Sequence, residues 1–558
     1  MNKFAIFNKY ATKRHDYIVV GAGSAGSTVA NRLSEDKDVN VLVIEAGPRD
    51  HWFNWKIHMP AALMYNLCDA KYNWYYNTTP QTNLDGRVIY WPRGKVWGGS
   101  SSINAMCYVR GHPLDYDRWQ EEGAGGWDYK GCLPYFKKAQ THELSLGKDD
   151  EYRGNDGPLY VRQAPCTNIL HQAFIEAGNQ MKLGTTSDIN GKCNEGFGKM
   201  DQTIKNGERH SASRAYLWPI LDRPNLSIIS NSVVMKVIIE NGIATGVKTL
   251  DRRTGRINKI YCEGSVILCG GAINTPQLLM LSGIGEGQHL FDKKIDIQND
   301  LPSVGSNLQD HLEIYVQNKC IKPITLYDKS SWKFPHNMVK IGLEWFVKRE
   351  GLGASSHLES GGFAKSSSDI KYPDIEFHFL PSTVHDDGRE NGTCHAFQVH
   401  VGPMRSKSVG NIRLKDSNPL SHPLINPNYL NHQDDLKEFR KCIELSREIF
   451  SQQAFDIYRG DEMAPGKEVQ SNDEIDAFVR QKAASAYHAS CSCKMGDIND
   501  PNAVVDSQTM NVRGTKNLKI VDASVMPSII SGNLNAPTIM IAERASDIIK
   551  NATLQRST

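Results

Sequence analysis

Six residues near the amino terminus, Gly21-Ala22-Gly23-Ser24-Ala25-Gly26, are followed by a carboxylate, Glu45, 19 positions beyond Gly26. In this pattern the first glycine permits a tight turn, the second lets backbone approach a pyrophosphate, and the third lets a helix pack on a strand. An acid about 20 residues further on accepts hydrogen bonds from ribose hydroxyls. The spacing therefore predicts a site for the adenosine diphosphate half of a dinucleotide, without choosing between NAD and FAD. A second chemical group stands near the other end, where His488 precedes Cys491 and Cys493. A neutral imidazole takes up a proton near pH 7. One His with a Cys-x-Cys lacks a fourth ligand at zinc spacing, so the thiols read as buried and inert and no metal is expected.

These groups need elements to hold them. Asp16-Tyr17-Ile18-Val19-Val20 reads as a strand, the glycine turn follows, a helical pattern runs through Leu33, and Val41-Leu42-Val43-Ile44 makes the next strand, ending at Glu45. The segment Tyr90 to Met106 is too rich in Gly and Ser for a regular element and reads as a loop lying against a ligand. Val266 to Leu268 and the Gly270-Gly271 pair that follows predict a second strand-to-helix turn. Near the carboxyl terminus, Asn535 is suited to cap a helix, Pro537 fits its first turn, and Ile541, Ala545 and Ile548 form an apolar stripe.

The bulk composition narrows the class. With 558 residues, 40% hydrophobic and 23% charged, the chain is globular and long enough for two large interleaved domains. A net charge of +2 with no long basic block excludes a nucleic-acid footprint. Twelve scattered Cys are too few for a disulfide scaffold and read as reduced thiols in an intracellular compartment. No run of 18 apolar residues is present, so membrane association, if any, is peripheral. Residues 1–14 carry Lys3, Lys9, Lys13 and Arg14 among apolar residues with no acid, which fits either a transit-peptide leader or a tail without fixed structure.

The loop Pro92 to Met106, the segment Gly270 to Ile284, and the carboxyl-terminal region containing Ala486-Tyr487-His488 and Ser531 to Thr538 together resemble the glucose-methanol-choline (GMC) oxidoreductase family, over about residues 15 to 552. Trp55 to Leu63, Leu84 to Gly94 and Asp374 to Pro381 are most similar to choline-oxidising members of the animal mitochondrial type. The resemblance implies an α/β plus α+β fold. A Rossmann-like FAD-binding domain is built from discontinuous segments, residues 15–312 and 481–558, with an early substrate-domain insertion near 160–205. A substrate domain on a mostly antiparallel sheet covers 313–480.

By the same resemblance, Gly21, Gly23, Ser24, Ala25, Gly26 and Glu45 hold the ADP half, and Val234 touches the adenine. Gly98, Gly99, Asn104, Met106, Asp522, Ala523, Asn535 and Thr538 surround the rest of the flavin. FAD is expected to be noncovalent, because Ile103 occupies the place where some relatives tether it through His. The catalytic pair falls on His488 and Asn533, and Glu313 falls where relatives set a carboxylate against a trimethylammonium group. Asp310 and His311 are family landmarks with a structural role. Trp332, Phe334, Trp345 and Phe346 read mostly as core, with one or two of the chain's aromatics left to line the substrate pocket. The implied activity is oxidation of choline to betaine aldehyde, extending to glycine betaine through the aldehyde hydrate. Electrons pass to a respiratory acceptor such as a quinone, at the mitochondrial inner membrane or, for a bacterial protein, its cytoplasmic face. The alternative is a family oxidase or dehydrogenase of another primary alcohol.

Overall fold

The computed structural model describes residues 14–385 and 390–557, so the leader at 1–14 lies outside the described residues except for Arg14. The strand Tyr17–Val20 sits at the middle of a five-stranded parallel sheet, between Val41–Ile44 and Ser265–Leu268. Leu226–Ile229 and Leu518–Ile520 form its edges. Tyr-Ile-Val-Val and Val-Leu-Val-Ile are buried at every position, the continuous apolar pattern expected of parallel strands covered on both faces. The helix Ser24–Leu33 follows the first strand, and the last helix of the chain, Asn535–Ser557, returns to lie against it. Arg32 fixes that contact with a two-pronged ion pair to buried Glu543, at 2.7 and 2.8 Å.

The second sheet is antiparallel throughout. Its order is Arg459–Ala464, Leu312–Cys320, Ala396–Pro403, Ile375–Leu380, Ser360–Ala364 and Gly196–Lys199. Its strands alternate, as half-buried strands do. Phe377, Phe379 and Phe397 turn to an aromatic core shared with Phe174 and Phe197, while Glu376, His378 and His400 turn the other way. The two sheets are joined at Asp310-His311, immediately before the Leu312–Cys320 strand, and at Ala484–Ser485, which pairs with Leu312 and Glu313 just before His488. Asp310 ties both crossings together: its carboxylate accepts from the Tyr429 hydroxyl, from Ser485 Oγ at 2.5 Å and from the His488 backbone N–H at 2.6 Å.

Candidate active site

A cavity of about 550 Å³ runs between the two sheets. One end is made by the glycine turn. Gly21 holds φ at +101°, and a Cβ on Gly26 would stand 1.9 Å from the Gly21 carbonyl oxygen, so neither position admits a side chain. Gly23 opens the following helix with no side-chain cap, which leaves the first helical N–H groups for a ligand. Ser24 Oγ donates to Asn535 Oδ1 at 2.7 Å, bringing the start of the last helix to the same place. Glu45 sits between them and is buried; its two oxygens accept one backbone N–H each, from Ala22 and Gly47, both at 2.8 Å. Each oxygen keeps a lone pair for a ligand hydroxyl, and burial raises the carboxyl to about 7. An uncapped helix start, an oriented acid and glycines without Cβ atoms fit a dinucleotide.

The middle of the cavity is lined by Gly99, Ile103, Asn104, Met106, Asp522 and Ala523. Asn104 is oriented by its oxygen, which accepts from buried Arg209 at 2.8 Å and from the Met106 N–H at 3.1 Å, leaving its NH2 end for the cavity. Asp522 is fully engaged by protein donors, Gly271 N–H, Thr275 Oγ1 and Ser524 N–H, so it shapes the wall rather than offering a free charge. Met106 and Tyr487 both hold left-handed backbone, with φ of +64° each, a strain that persists where surrounding contacts fix it and that here flanks the end of the cavity lined by His488.

At that end, His488 and Asn533 stand together, with Asn533 Nδ2 3.2 Å from His488 Nε2. The chain of contacts behind His488 decides its tautomer. His311 Nε2 lies 3.1 Å from the Met404 carbonyl oxygen, which only accepts, so this nitrogen carries the proton. A neutral His311 then presents Nδ1 as an acceptor, 2.9 Å from His488 Nδ1, which must donate. His488 Nε2 is left as the acceptor nitrogen, facing the Asn533 Nδ2–H at the cavity wall. Both rings stay neutral: burial holds His311 down to about 4, and burial with the nearby His311, His378 and Arg93 holds His488 well below the usual histidine value.

The far wall is a sheet face. Tyr315, His400 and His378 are directly opposed across three strands, and one step along the same face Glu376 is opposed to Gly402, which abuts Glu313. All six line the cavity. Glu313 Oε1 is 3.1 Å from His400 Nδ1, and His400 Nε2 meets Gln398 Nε2 at 2.7 Å.

GMC oxidoreductase models match residues 15–313 and 406–542. The chain belongs to the GMC oxidoreductase family. It is 55% identical over 541 residues to mitochondrial choline dehydrogenase of Mus musculus, covering 96% of this chain and 89% of that protein. To the oxygen-dependent choline dehydrogenase of Brucella ovis it is 47% identical over 538 residues, covering 96% of each. Among solved structures, pyridoxine 4-oxidase from Mesorbium loti superposes with a TM-score of 0.86 at 30% identity, over 96% of this chain and 99% of that one.

Most of the residues singled out from the sequence line this one cavity, from Gly21 and Glu45 through Val234 and Thr538 to His488, Asn533 and Glu313. Two do not. Gly26 packs against the Gly21 carbonyl, and Gly98 N–H donates to the Ala22 carbonyl at 2.7 Å. Gly98 thus clamps the serine-rich loop onto the glycine turn. Asn535 is the first residue of its helix rather than the cap, because its side chain is taken by Ser24. Of the four aromatics expected mostly in the core, only Trp345 is buried, while Trp332 and Phe346 are exposed on a surface helix and its approach; the cavity takes Tyr315 and Tyr487. Cys491 and Cys493 are buried thiols, the first pushed up to about 12 by burial.

Sequence reasoning missed Glu376, His378 and His400 as site residues. The alternation in Ile375-Glu376-Phe377-His378-Phe379 was the available signal, since it puts an acid and an imidazole on one face of an otherwise apolar strand.

Proposed function

We propose that this protein oxidises choline to betaine aldehyde with FAD as cofactor, and carries the aldehyde hydrate on to glycine betaine. The observation that carries the reading is one cavity that joins a dinucleotide cradle to a neutral imidazole and to a carboxylate-bearing wall. Likeness to the mouse and Brucella choline dehydrogenases supports the choice of substrate. Gly21, Gly23, Ser24, Ala25 and Glu45 would hold the ADP half, and Gly99, Asn104, Met106, Asp522, Ala523, Asn535 and Thr538 the remainder. Residues 15–312 and 481–558 form the cofactor-binding unit in this reading and 313–480 the substrate-binding one.

Oxidising a primary alcohol removes a hydroxyl proton and a hydride from carbon, and bound FAD supplies the hydride acceptor. The chain's own residues deal with the proton. His488 Nε2, fixed as the lone-pair nitrogen by the His311 relay, accepts it. Asn533 Nδ2–H, already aimed at that nitrogen, donates to the oxygen on which negative charge develops. Glu313 draws the ammonium group to the sheet wall, so the hydroxyl end of the substrate is left at His488.

Electrons pass on to a respiratory quinone in this reading, with the protein at a mitochondrial inner membrane. Among the described residues no helix is long and apolar enough to cross a bilayer. The helix Pro335–Lys348 supports peripheral contact: Val339, Leu343, Phe346 and Val347 make one exposed apolar stripe beside exposed Trp332, and Lys333, Lys340 and Lys348 border it. Steady-state turnover of choline, with oxygen compared against a quinone analogue, tests the activity and the acceptor together. Acid precipitation should release all yellow colour into the supernatant, and colour kept by the denatured pellet would refute noncovalent binding.

A further inference from the structure

The sheet wall holds a second carboxylate that the mechanism above does not use. Glu376 is 2% exposed, and its Oε1 has no hydrogen-bond partner. His378 Nε2 lies 3.4 Å from it in a direction that makes no hydrogen bond. A buried carboxyl oxygen left unsatisfied costs the fold free energy unless a ligand completes it. Register explains what it faces. Glu376 is opposed to Gly402, and a Cβ on Gly402 would stand 3.2 Å from Glu313 Cα, so Glu313, Gly402 and Glu376 form one row across three strands. The row spans two strand spacings, about 9–10 Å. Gly402 admits no side chain, because a Cβ would meet the Leu312 carbonyl oxygen at 2.4 Å, and it lines the cavity between the two acids.

We propose that Glu376 is the second half of the cation receptor: the trimethylammonium group seats over Gly402 between Glu313 and Glu376, and Glu376 gives up a proton as the cation enters. The proposal rests on the choline reading and adds to it a residue that sets specificity and a linkage between substrate binding and proton release.

The electrostatics agree with the geometry. Burial, and then the like charge of Glu313, push Glu376 up to about 8, so at pH 7, before a cation enters, Glu376 keeps its proton. The other titratable groups around it are His378 on its own strand, His400 on the middle strand, His357 before the Ser360–Ala364 strand, and Cys107, which starts the short strand after the serine-rich loop. His378 and His357 are held neutral, both down to about 4 by burial, and Cys107 is held as a thiol. None of these three supplies a positive charge to ionise Glu376 in advance. A quaternary ammonium group carries a charge that cannot be titrated away, and placed beside the acid it favours the carboxylate. A neutral alcohol of the same shape does not.

The test uses the flavin-loaded enzyme and the unreactive tetramethylammonium ion as probe. Calorimetry at pH 7 in buffers of different ionisation heat should find about one proton released per cation bound by the wild-type enzyme, and affinity should rise about tenfold between pH 7 and 9. In Glu376→Gln, which copies the protonated acid in shape, proton release should vanish and affinity above pH 8 should fall at least about tenfold. The ratio of kcat/KM for choline over 3,3-dimethylbutan-1-ol should fall with it. Pairing pH-independent binding with no proton release in the wild-type enzyme overturns the proposal even if the variant fails to fold. If Glu313→Gln loses the choline preference while Glu376→Gln matches wild type, the choline reading stands and this inference falls. A wild-type enzyme that neither binds the cation nor prefers choline to the isostere overturns both.

Discussion

The two ends of the cavity are built from different materials. The nucleotide end is made of backbone: a turn without Cβ atoms, an uncapped helix start, and a carboxylate held by two main-chain N–H groups. The proposed reacting end is made of side chains, with two acids, two imidazoles and a tyrosine along adjacent strands, facing His488 and Asn533 across the cavity. Backbone recognition tolerates almost no substitution, since any added atom meets main chain. Side-chain recognition is graded, because each group can be altered one at a time and its share of binding or proton transfer measured.

The comparison breaks most easily at Gly26. A Cβ there meets the Gly21 carbonyl at 1.9 Å, so Gly26→Ala should cost about 3 kcal/mol or more and yield protein that retains no flavin. Coloured protein with an unchanged Tm would show that the turn is not rigid. At the other end, His488→Ala should keep its flavin and lose turnover by about 10²–10⁴-fold, because only the proton acceptor is removed. A variant keeping a third of wild-type kcat at saturating choline would assign the role elsewhere.

Glu313→Gln should reduce the preference for choline over its neutral isostere by about 10–10³-fold in kcat/KM, since one full charge beside the cation is lost. Equal loss on both substrates would make Glu313 a residue of the fold. His311→Leu removes the acceptor that fixes the His488 tautomer, and turnover should drop about tenfold. His311→Gln, whose side-chain carbonyl can take the same N–H, should restore part of it. Equal damage by both would reduce His311 to a packing role.

The smallest effect concerns stability against pH. His171 packs edge-on to Phe379 in the core of the second sheet, and burial depresses it to about 3. The unfolded chain protonates this residue below about 6.5 and the folded chain does not, so its share of stability is lost as pH falls from about 6.5 toward 3, at about 1.4 kcal/mol per unit. Replacing His171 by Gln should flatten the acid side of the Tm profile by that increment. Glu45 acts with the opposite sign: protonated in the empty fold up to about 7, it withdraws stability as pH rises through that range. A Tm profile unchanged by the His171 substitution would count against a neutral buried imidazole.

The strand, glycine turn, helix and acid of the proposed nucleotide end were legible in the sequence alone. Gly21, Gly23, Gly26 and Glu45 lie within one strand-helix-strand unit, so their spacing along the chain is their arrangement in space, and the parallel strands announced themselves as buried apolar runs. His488, Asn533 and Glu313 were legible only as matches to a family pattern, because nothing local connects them. Tertiary structure decided the rest. Alternation placed Glu376 and His378 on one face of a strand, but only the register across three strands set them against Gly402, His400, Glu313 and Tyr315. The His311–His488 contact spans two crossings between the sheets and fixes a proton position that no local pattern encodes. The same reason removed Gly98 from the cavity wall and left Trp332 and Phe346 exposed: residue type indicates what a side chain can do, and only packing decides what it faces.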